Sequence, residues 1–191
     1  MKALRSGDAA GTRGQVIEDD GTRRARGEAR SLDVEHTRRL GRAIGRAAQP
    51  GALVALDGPL GAGKTQLAKG IAEGLGVRSV VNSPTFVLMN EHEGRLHLFH
   101  VDAYRLGGAE EAEAAGLIDD RQLSGITVVE WAERIASLLP HDRLEIAVRP
   151  VASARAGGSA DGRVLEWRAT GPRHEALAAA LSNASSSEAD R

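Results

Sequence analysis

Between Asp33 and Leu181 the chain switches several times between apolar residues spaced three or four apart and short unbroken apolar runs. Leu40, Ile44, Ala47 and Ala48, with Thr37 and Gly41 among them, recur at helical spacing behind Asp33, which suits a helix cap. Pro50-Gly51 stops that helix, and ALVAL, Ala52 to Leu56, reads as a buried strand. Leu67, Ala68, Ile71, Ala72 and Leu75 mark one face of a second helix ended by Gly76. SVVNSPTFVLMN and RLHLFHVDAYRL read as strands around the turn EHEG, a hairpin. A short helix is expected at Glu110 to Ala115, a buried strand at ITVVEW and a helix from about Ala132 to Leu139. RLEIAVRP and RVLEWRAT are two late strands around the flexible ASARAGGSADG, and a helix over Glu175 to Leu181 closes the pattern. Strands alternating with helices predict an α/β fold, a three-layer sandwich with a mostly parallel central sheet and antiparallel additions.

The ends lack this periodicity. Residues 1–30 mix Gly, Arg and acids and are expected to form a disordered leader, in which Arg23, Arg24, Arg26 and Arg30 are solvated or form a basic arm for RNA. Residues 182–191 are expected to be a disordered polar tail, which leaves 31–181 as a single domain.

Composition narrows the chemistry. Basic and acidic residues nearly cancel, 25 against 26, so no global field points to nucleic acid or a membrane. The absence of cysteine excludes disulfides and thiolate metal sites and fits a reducing compartment. No apolar run approaches the roughly 20 residues of a membrane span, and no secretory h-region opens the chain, so a cytoplasmic protein without membrane contact is expected.

Only three residues are lysine, Lys2, Lys64 and Lys69, and one of them closes a glycine loop. Gly58-Pro-Leu-Gly-Ala-Gly-Lys-Thr65 matches GxxxxGK followed by Ser or Thr, after a strand and opening a helix. Glycines let consecutive amides turn toward phosphate oxygens, and the helix presents its N-terminal dipole to the same anion. Gly58, Gly61, Ala62, Gly63, Lys64, Thr65 and Gln66 are the expected nucleotide contacts. Lys64 serves the β and γ phosphates, and Thr65 serves magnesium. The expected cofactors are ATP or ADP and Mg2+. Glu130, at the end of a buried run, is the better acid for the magnesium site, with Thr65, and Asp102, at the end of LHLFHVD, can orient water. Lys64, Asp102 and Glu130 form the candidate catalytic set. An ion pair of Asp102 with Arg105 is the competing reading, and Asp57 reads as a supporting or capping group. His97 and His100 read as ordinary strand histidines. Trp131 either stacks on a ligand or packs in the core.

LDGPLGAGKTQLAKGIAEGLGV, VNSPTFVLMNEHEG, LFHVDAYRL and VVEWAERI, in this order and spacing, closely resemble the TsaE (YjeE) family, the ATPase of bacterial tRNA threonylcarbamoyladenosine biosynthesis. The likeness spans roughly Asp33 to Val148. It implies a small P-loop ATPase, weak alone, that works with the threonylcarbamoyl transferase (TsaD) and its non-catalytic companion (TsaB). Together they modify the adenosine following the anticodon, position 37, in tRNAs reading ANN codons, so tRNA is an indirect partner. By the same resemblance Gly61 to Thr65 hold phosphates, Thr65 and Glu130 serve magnesium, Asp102 is needed for hydrolysis, Ser83, Pro84 and Thr85 lie in a switch-like segment, and Trp131 matches the family's tryptophan. Ala132, Pro59 and His92 depart from the family pattern at places where no phosphate or metal ligand is expected. A small-molecule or nucleotide kinase, and a nucleotide-gated assembly module without productive hydrolysis, are the alternative readings.

Overall fold

A computed structural model describes residues 13–19, 22–151 and 162–186, apart from the side chains of residues 13–24. In chain order its main elements are β1 (Arg13–Asp19), β2 (Thr22–Ser31), α1 (Val34–Ala47), β3 (Ala52–Asp57), α2 (Lys64–Gly74), β4 (Met89–His92), β5 (Leu98–Asp102), α3 (Ala109–Ala114), β6 (Ile126–Glu130), β7 (Leu144–Pro150), β8 (Arg163–Ala169) and α4 (Glu175–Ser186). The strands form one sheet in the order β1-β2-β8-β7-β3-β6-β5-β4. The central β7, β3, β6 and β5 run parallel, and β4, β8, β2 and β1 are added antiparallel at the flanks. This is the three-layer α/β sandwich that the alternating pattern predicts.

The side-chain period of two divides the core. Val54, Leu56, Val128 and Ile146 face α1, α2 and α4, where they meet Leu40, Ile44, Leu67, Ile71 and Leu181. Leu53, Ala55, Val101 and Val129 face the opposite layer, built from α3, the 3₁₀ turn Ala132–Ile135 and the loops around them. Each fully buried Leu or Ile contributes on the order of 1.5–3 kcal/mol. No helix of the described residues is long and apolar enough to cross a membrane.

Helix α1 starts at Asp33, whose side chain accepts from the amide of His36 at 2.7 Å. Its contact with α2 depends on glycine. A β-carbon on Gly45 would stand 2.2 Å from the Ile71 carbonyl oxygen, and one on Gly70 2.2 Å from that of Arg38. The two helices therefore meet backbone to backbone.

Several expectations need correction. Residues 22–30 are no disordered leader, because with Ser31 they form β2 against β8, Ala29 opposite Leu165, and residues 13–19 pair with β2. Ala29 and Ser31 are buried and Arg26, Glu28 and Arg30 exposed, so β2 is a half-buried strand whose inward residues are too small to register as hydrophobic. Gly27 is required there, since a β-carbon would lie 2.5 Å from the Trp167 ring. Helix α4 runs to Ser186, past the expected start of the tail, with the Ser182 hydroxyl bonded to the Ala178 carbonyl at 3.1 Å. The strand expected from Ser79 begins only at Met89, and the helix expected over Ala132 to Leu139 is a single 3₁₀ turn. A 3₁₀ turn at Asp120–Ser124, with Asp119 as its cap, was not anticipated. Residues 1–12, 20–21, 152–161 and 187–191, including most of ASARAGGSADG, lie outside the described residues.

Candidate active site

Strand β3 ends at Asp57, and the chain then folds over itself through Gly58, Gly61 and Gly63, all at positive φ (136°, 77° and 109°). A β-carbon on Gly58 would collide with the Val148 carbonyl oxygen at 2.1 Å, whereas one on Gly61 would meet nothing within 4 Å. Gly58 thus fits the loop against β7, and Gly61 faces the open cradle. Gly63 caps α2, whose first amides point into that cradle. The Gln66 side chain accepts from Arg38 Nε at 3.0 Å and is tied to α1.

Lys64 is buried. Its ammonium donates to the carbonyls of Gly58 (2.6 Å) and Pro59 (3.0 Å) and lies 3.6 Å from the centre of the Trp131 ring. Burial pushes its pKa below the ordinary lysine value, while the carboxylates of Glu130, Glu133, Asp102 and Asp57 oppose the shift. Trp131 packs against the core on the α3 side and also lines the cavity beside Lys64. It also occupies left-handed backbone at φ 59°, with its amide bonded to the Leu56 carbonyl at 2.9 Å.

Parallel pairing sets Asp102 beside Glu130 at the carboxyl edge of β5 and β6. Glu130 is buried, with Oε2 accepting from the Thr65 hydroxyl at 2.9 Å and Oε1 from His100 Nε2 at 2.9 Å. His100 is therefore more than an ordinary strand histidine, because it holds the acid of the site. His97, by contrast, is a surface partner of Glu91 and Glu93. Asp102 Oδ2 accepts from the hydroxyls of Thr85 (2.7 Å) and Ser83, and Oδ1 from the Tyr104 amide (3.0 Å). The competing reading, an Asp102–Arg105 ion pair, is not formed: Arg105 donates to the carbonyls of Thr85 and Phe86 and so braces the SPTF segment. Asp57 is the capping group the sequence suggests, accepting from the Glu133 amide at 3.0 Å.

Gly61 to Gln66, Ser83, Thr85, Asp102, Glu130 and Trp131 line a cavity of about 480 Å³, bounded also by Val34, Leu60, Tyr104 and Arg163. A second depression of about 490 Å³, around Arg78, Ser79 and His92, is as large but holds none of the loop residues. Chemistry rather than size selects the first. An open glycine cradle, a buried lysine, and a hydroxyl and a carboxylate as hard oxygen donors fit a nucleoside polyphosphate with magnesium. Lys64, Thr65, Glu130 and Asp102 are brought together as the sequence predicts, with Trp131 beside Lys64. Thr65 and Glu130 could hold a metal ion through their side-chain oxygens, and among the described residues no cluster of three or more His, Cys, Asp or Glu suits a metal. Arg163 escaped the sequence reading. The signal for it is a charged residue on the buried phase of RVLEWRA, where Leu165, Trp167 and Ala169 point inward.

The family described as "Threonylcarbamoyl adenosine biosynthesis protein TsaE" matches residues 31–156. The chain belongs to the TsaE family. The tRNA threonylcarbamoyladenosine biosynthesis protein TsaE of Bacillus subtilis is 40% identical over 154 residues, covering 80% of this chain and 92% of the relative. That of Treponema pallidum is 41% identical over 122 residues, covering 64% and 90%. The crystal structure of Bacillus subtilis YdiB matches with a TM-score of 0.65 at 34% identity, over 83% of this chain and 95% of that one. The TsaE match begins at Ser31, so most of β2 and all of β1 precede it. None of the three departures from the family pattern removes a side-chain oxygen of Thr65, Asp102 or Glu130. Pro59 contributes only its carbonyl, Ala132 packs in the core and His92 pairs with the Ser79 hydroxyl at 2.8 Å.

Proposed function

We propose that this TsaE-family protein binds and hydrolyses ATP in support of threonylcarbamoyladenosine formation at position 37 of tRNAs reading ANN codons. The observation that carries the reading is the hydrogen bond between Thr65 and Glu130, which sets two hard oxygen ligands beside Lys64 at the mouth of the glycine loop. ATP with magnesium, when bound, supplies the phosphoanhydride bond that is broken. The loop amides and Lys64 hold phosphate oxygens and offset their charge. Thr65 and Glu130 present oxygens to the metal, and Asp102 orients water through the carboxylate that Ser83 and Thr85 position. Trp131 and Tyr104, 4.9 Å apart, form the apolar wall on the acidic side of the site. The names of the relatives support the pathway, and the proposed partners are the threonylcarbamoyl transferase TsaD and its companion TsaB, with tRNA engaged through them in the cytoplasm.

The test is phosphate release from ATP by the purified protein, alone and with the two partners, with Lys64→Ala as the blank. Release that requires Lys64 and rises with the partners is expected. ATP binding without turnover in either condition would replace the ATPase with a nucleotide-gated assembly module.

A further inference from the structure

Ser83 to Leu88, the stretch that leads into β4, is fastened to Asp102 at both ends. The Ser83 and Thr85 hydroxyls donate to Oδ2 of the acid, Thr85 at 2.7 Å, and the Leu88 carbonyl accepts from the Asp102 amide at 2.9 Å. Between these points the chain doubles back, with the amides of Val87 and Leu88 both donating to the Pro84 carbonyl, at 3.0 and 2.7 Å. Leu88 is held at φ 68°, left-handed backbone that a residue with a β-carbon keeps only where its surroundings impose it. Apolar packing reaches Leu88 but not the tip, where Phe86 and Val87 are 85% and 64% exposed.

Arg105 supplies the fastening at the tip. Its Nε donates to the Thr85 carbonyl at 2.5 Å and its Nη2 to the Phe86 carbonyl at 2.8 Å, and the guanidinium lies 5.0 Å from the centre of the Phe86 ring. The side chain is exposed and forms no ion pair among the described residues, so its charge serves these two carbonyls. Thr85 is thus bonded from two sides, by its hydroxyl to Asp102 and by its carbonyl to Arg105, and Arg105 follows Asp102 by three residues. The two bonds and the intervening backbone close a ring. A closed ring leaves the Thr85 hydroxyl few positions, whereas an open one lets the residue turn about its own backbone.

We infer that Arg105 is a positioning residue for hydrolysis, which fixes the Thr85 hydroxyl and through it the Asp102 carboxylate. The guanidinium is not among the groups that line the cavity, so it acts on the acid and not on the phosphates. Its planar fork matters, because a lysine ammonium is a point charge that cannot hold two carbonyls and lie against a ring at once. This inference rests on the ATPase reading above and adds to it a group that the glycine loop and the two acids leave unassigned.

Phosphate release from ATP, with the two partner proteins present, and ADP affinity by titration calorimetry are measured on the full chain for Arg105→Met, Arg105→Lys, Thr85→Val and the double variant Arg105→Met/Thr85→Val. Arg105→Met is expected to lower kcat about tenfold while KM for ATP and Kd for ADP stay within about twofold, and Arg105→Lys to recover little of the loss. The double variant should be no slower than the slower single variant, because both changes open the same ring. An unchanged kcat, single losses that multiply in the double variant, or a loss confined to KM and Kd, which would make Arg105 a phosphate contact, would each overturn the inference. Amide exchange at Val87 and Leu88, followed without nucleotide, gives a readout independent of turnover and should quicken about tenfold in Arg105→Met. Unchanged exchange overturns the ring whatever the rate of hydrolysis. No phosphate release from the unaltered protein, with exchange quickened in the variant, would instead overturn the ATPase reading and leave Arg105 holding the Thr85 segment.

Discussion

Thr65 and Glu130, 65 residues apart in sequence, are joined by a 2.9 Å hydrogen bond from hydroxyl to carboxylate. The bond ties the start of α2 to the end of β6 and separates two jobs within one site. Lys64→Ala removes the buried ammonium proposed to counter the phosphate charge, and a charged hydrogen bond is worth about 1.5–3 kcal/mol, so ADP affinity should fall by about 10- to 100-fold. Glu130→Gln keeps the shape but not the charge. It should hold ADP within about threefold and lower magnesium-dependent turnover by about 100-fold or more. Calorimetry and phosphate release on the same preparations check this, and equal loss of binding in both variants would sink the division of roles.

His100 acts through Glu130. Its ring is fully buried, and Nδ1 has no hydrogen-bond partner among the described residues, so its polar contact is the one with Oε1 of the acid. His100→Gln should lower kcat by about tenfold and raise the magnesium concentration needed for half-maximal rate, with ADP affinity within about twofold. A purely structural role would instead lower Tm and leave the magnesium dependence where it was.

Asp57 titrates in an unusual range. Burial chiefly, with the carboxyl group of Glu133 nearby, pushes it from 3.8 up to about 7. The folded protein therefore holds a proton between these values that the unfolded chain has released, and Asp57 makes stability fall as pH rises through that window. His174, lowered chiefly by burial, acts with the opposite sign below 6.5. Comparison with Asp57→Asn cancels this, since both proteins share His174. The Tm of the variant minus that of the unaltered protein, measured without nucleotide, should grow from pH 4 to about pH 7 and level off above. A difference that stays flat would contradict the assignment.

Gly70→Ala tests the contact between α1 and α2. The new methyl group would press on the Arg38 carbonyl, a backbone atom that cannot rotate away, so the loss should exceed the ordinary overpacking cost of about 1–3 kcal/mol. Chemical denaturation measures it. Gly76→Ala, at a helix end where the β-carbon meets nothing within 4 Å, carries only the strain of its positive φ and should cost about 1–2 kcal/mol.

What was legible in the chain follows from how each feature is encoded. Lys64, Thr65, Asp102 and Glu130 could be placed because a glycine motif between strand and helix, or an acid ending an apolar run, fixes position by local rules. The parallel centre was legible for the same reason, as runs such as ALVAL and ITVVE are apolar on both faces. Strand β2 was hidden because its inward residues are Ala25, Gly27, Ala29 and Ser31, small enough to lie under Trp167 and α4 but too small to show a period of two in hydrophobicity. His100 and Arg163 were missed because their meaning lies across strands. A histidine becomes a positioning group only when Glu130 arrives beside it, and an arginine becomes part of the cavity wall only when β8 meets the glycine loop. The extent of the helix after Trp131 was overestimated because AERIASLL has helical spacing, yet its first turn is 3₁₀, anchored on Asp57.

The glycine seam between α1 and α2 has a mechanical consequence. The backbones of the two helices approach so closely at Gly41, Gly45, Gly70 and Gly74 that no side chain could be interposed, and the pair forms one plate over the sheet. Lys64 and Thr65 sit at one corner of that plate. Asp33, held through its carbonyl by Arg163, sits at another. The acids Glu130 and Asp102 belong to the sheet beneath. Through Arg163, bonded to the Asp33 carbonyl and the Thr37 hydroxyl, the helix pair that begins with Lys64 and Thr65 is also tied to β8, the strand that holds β2 in the sheet.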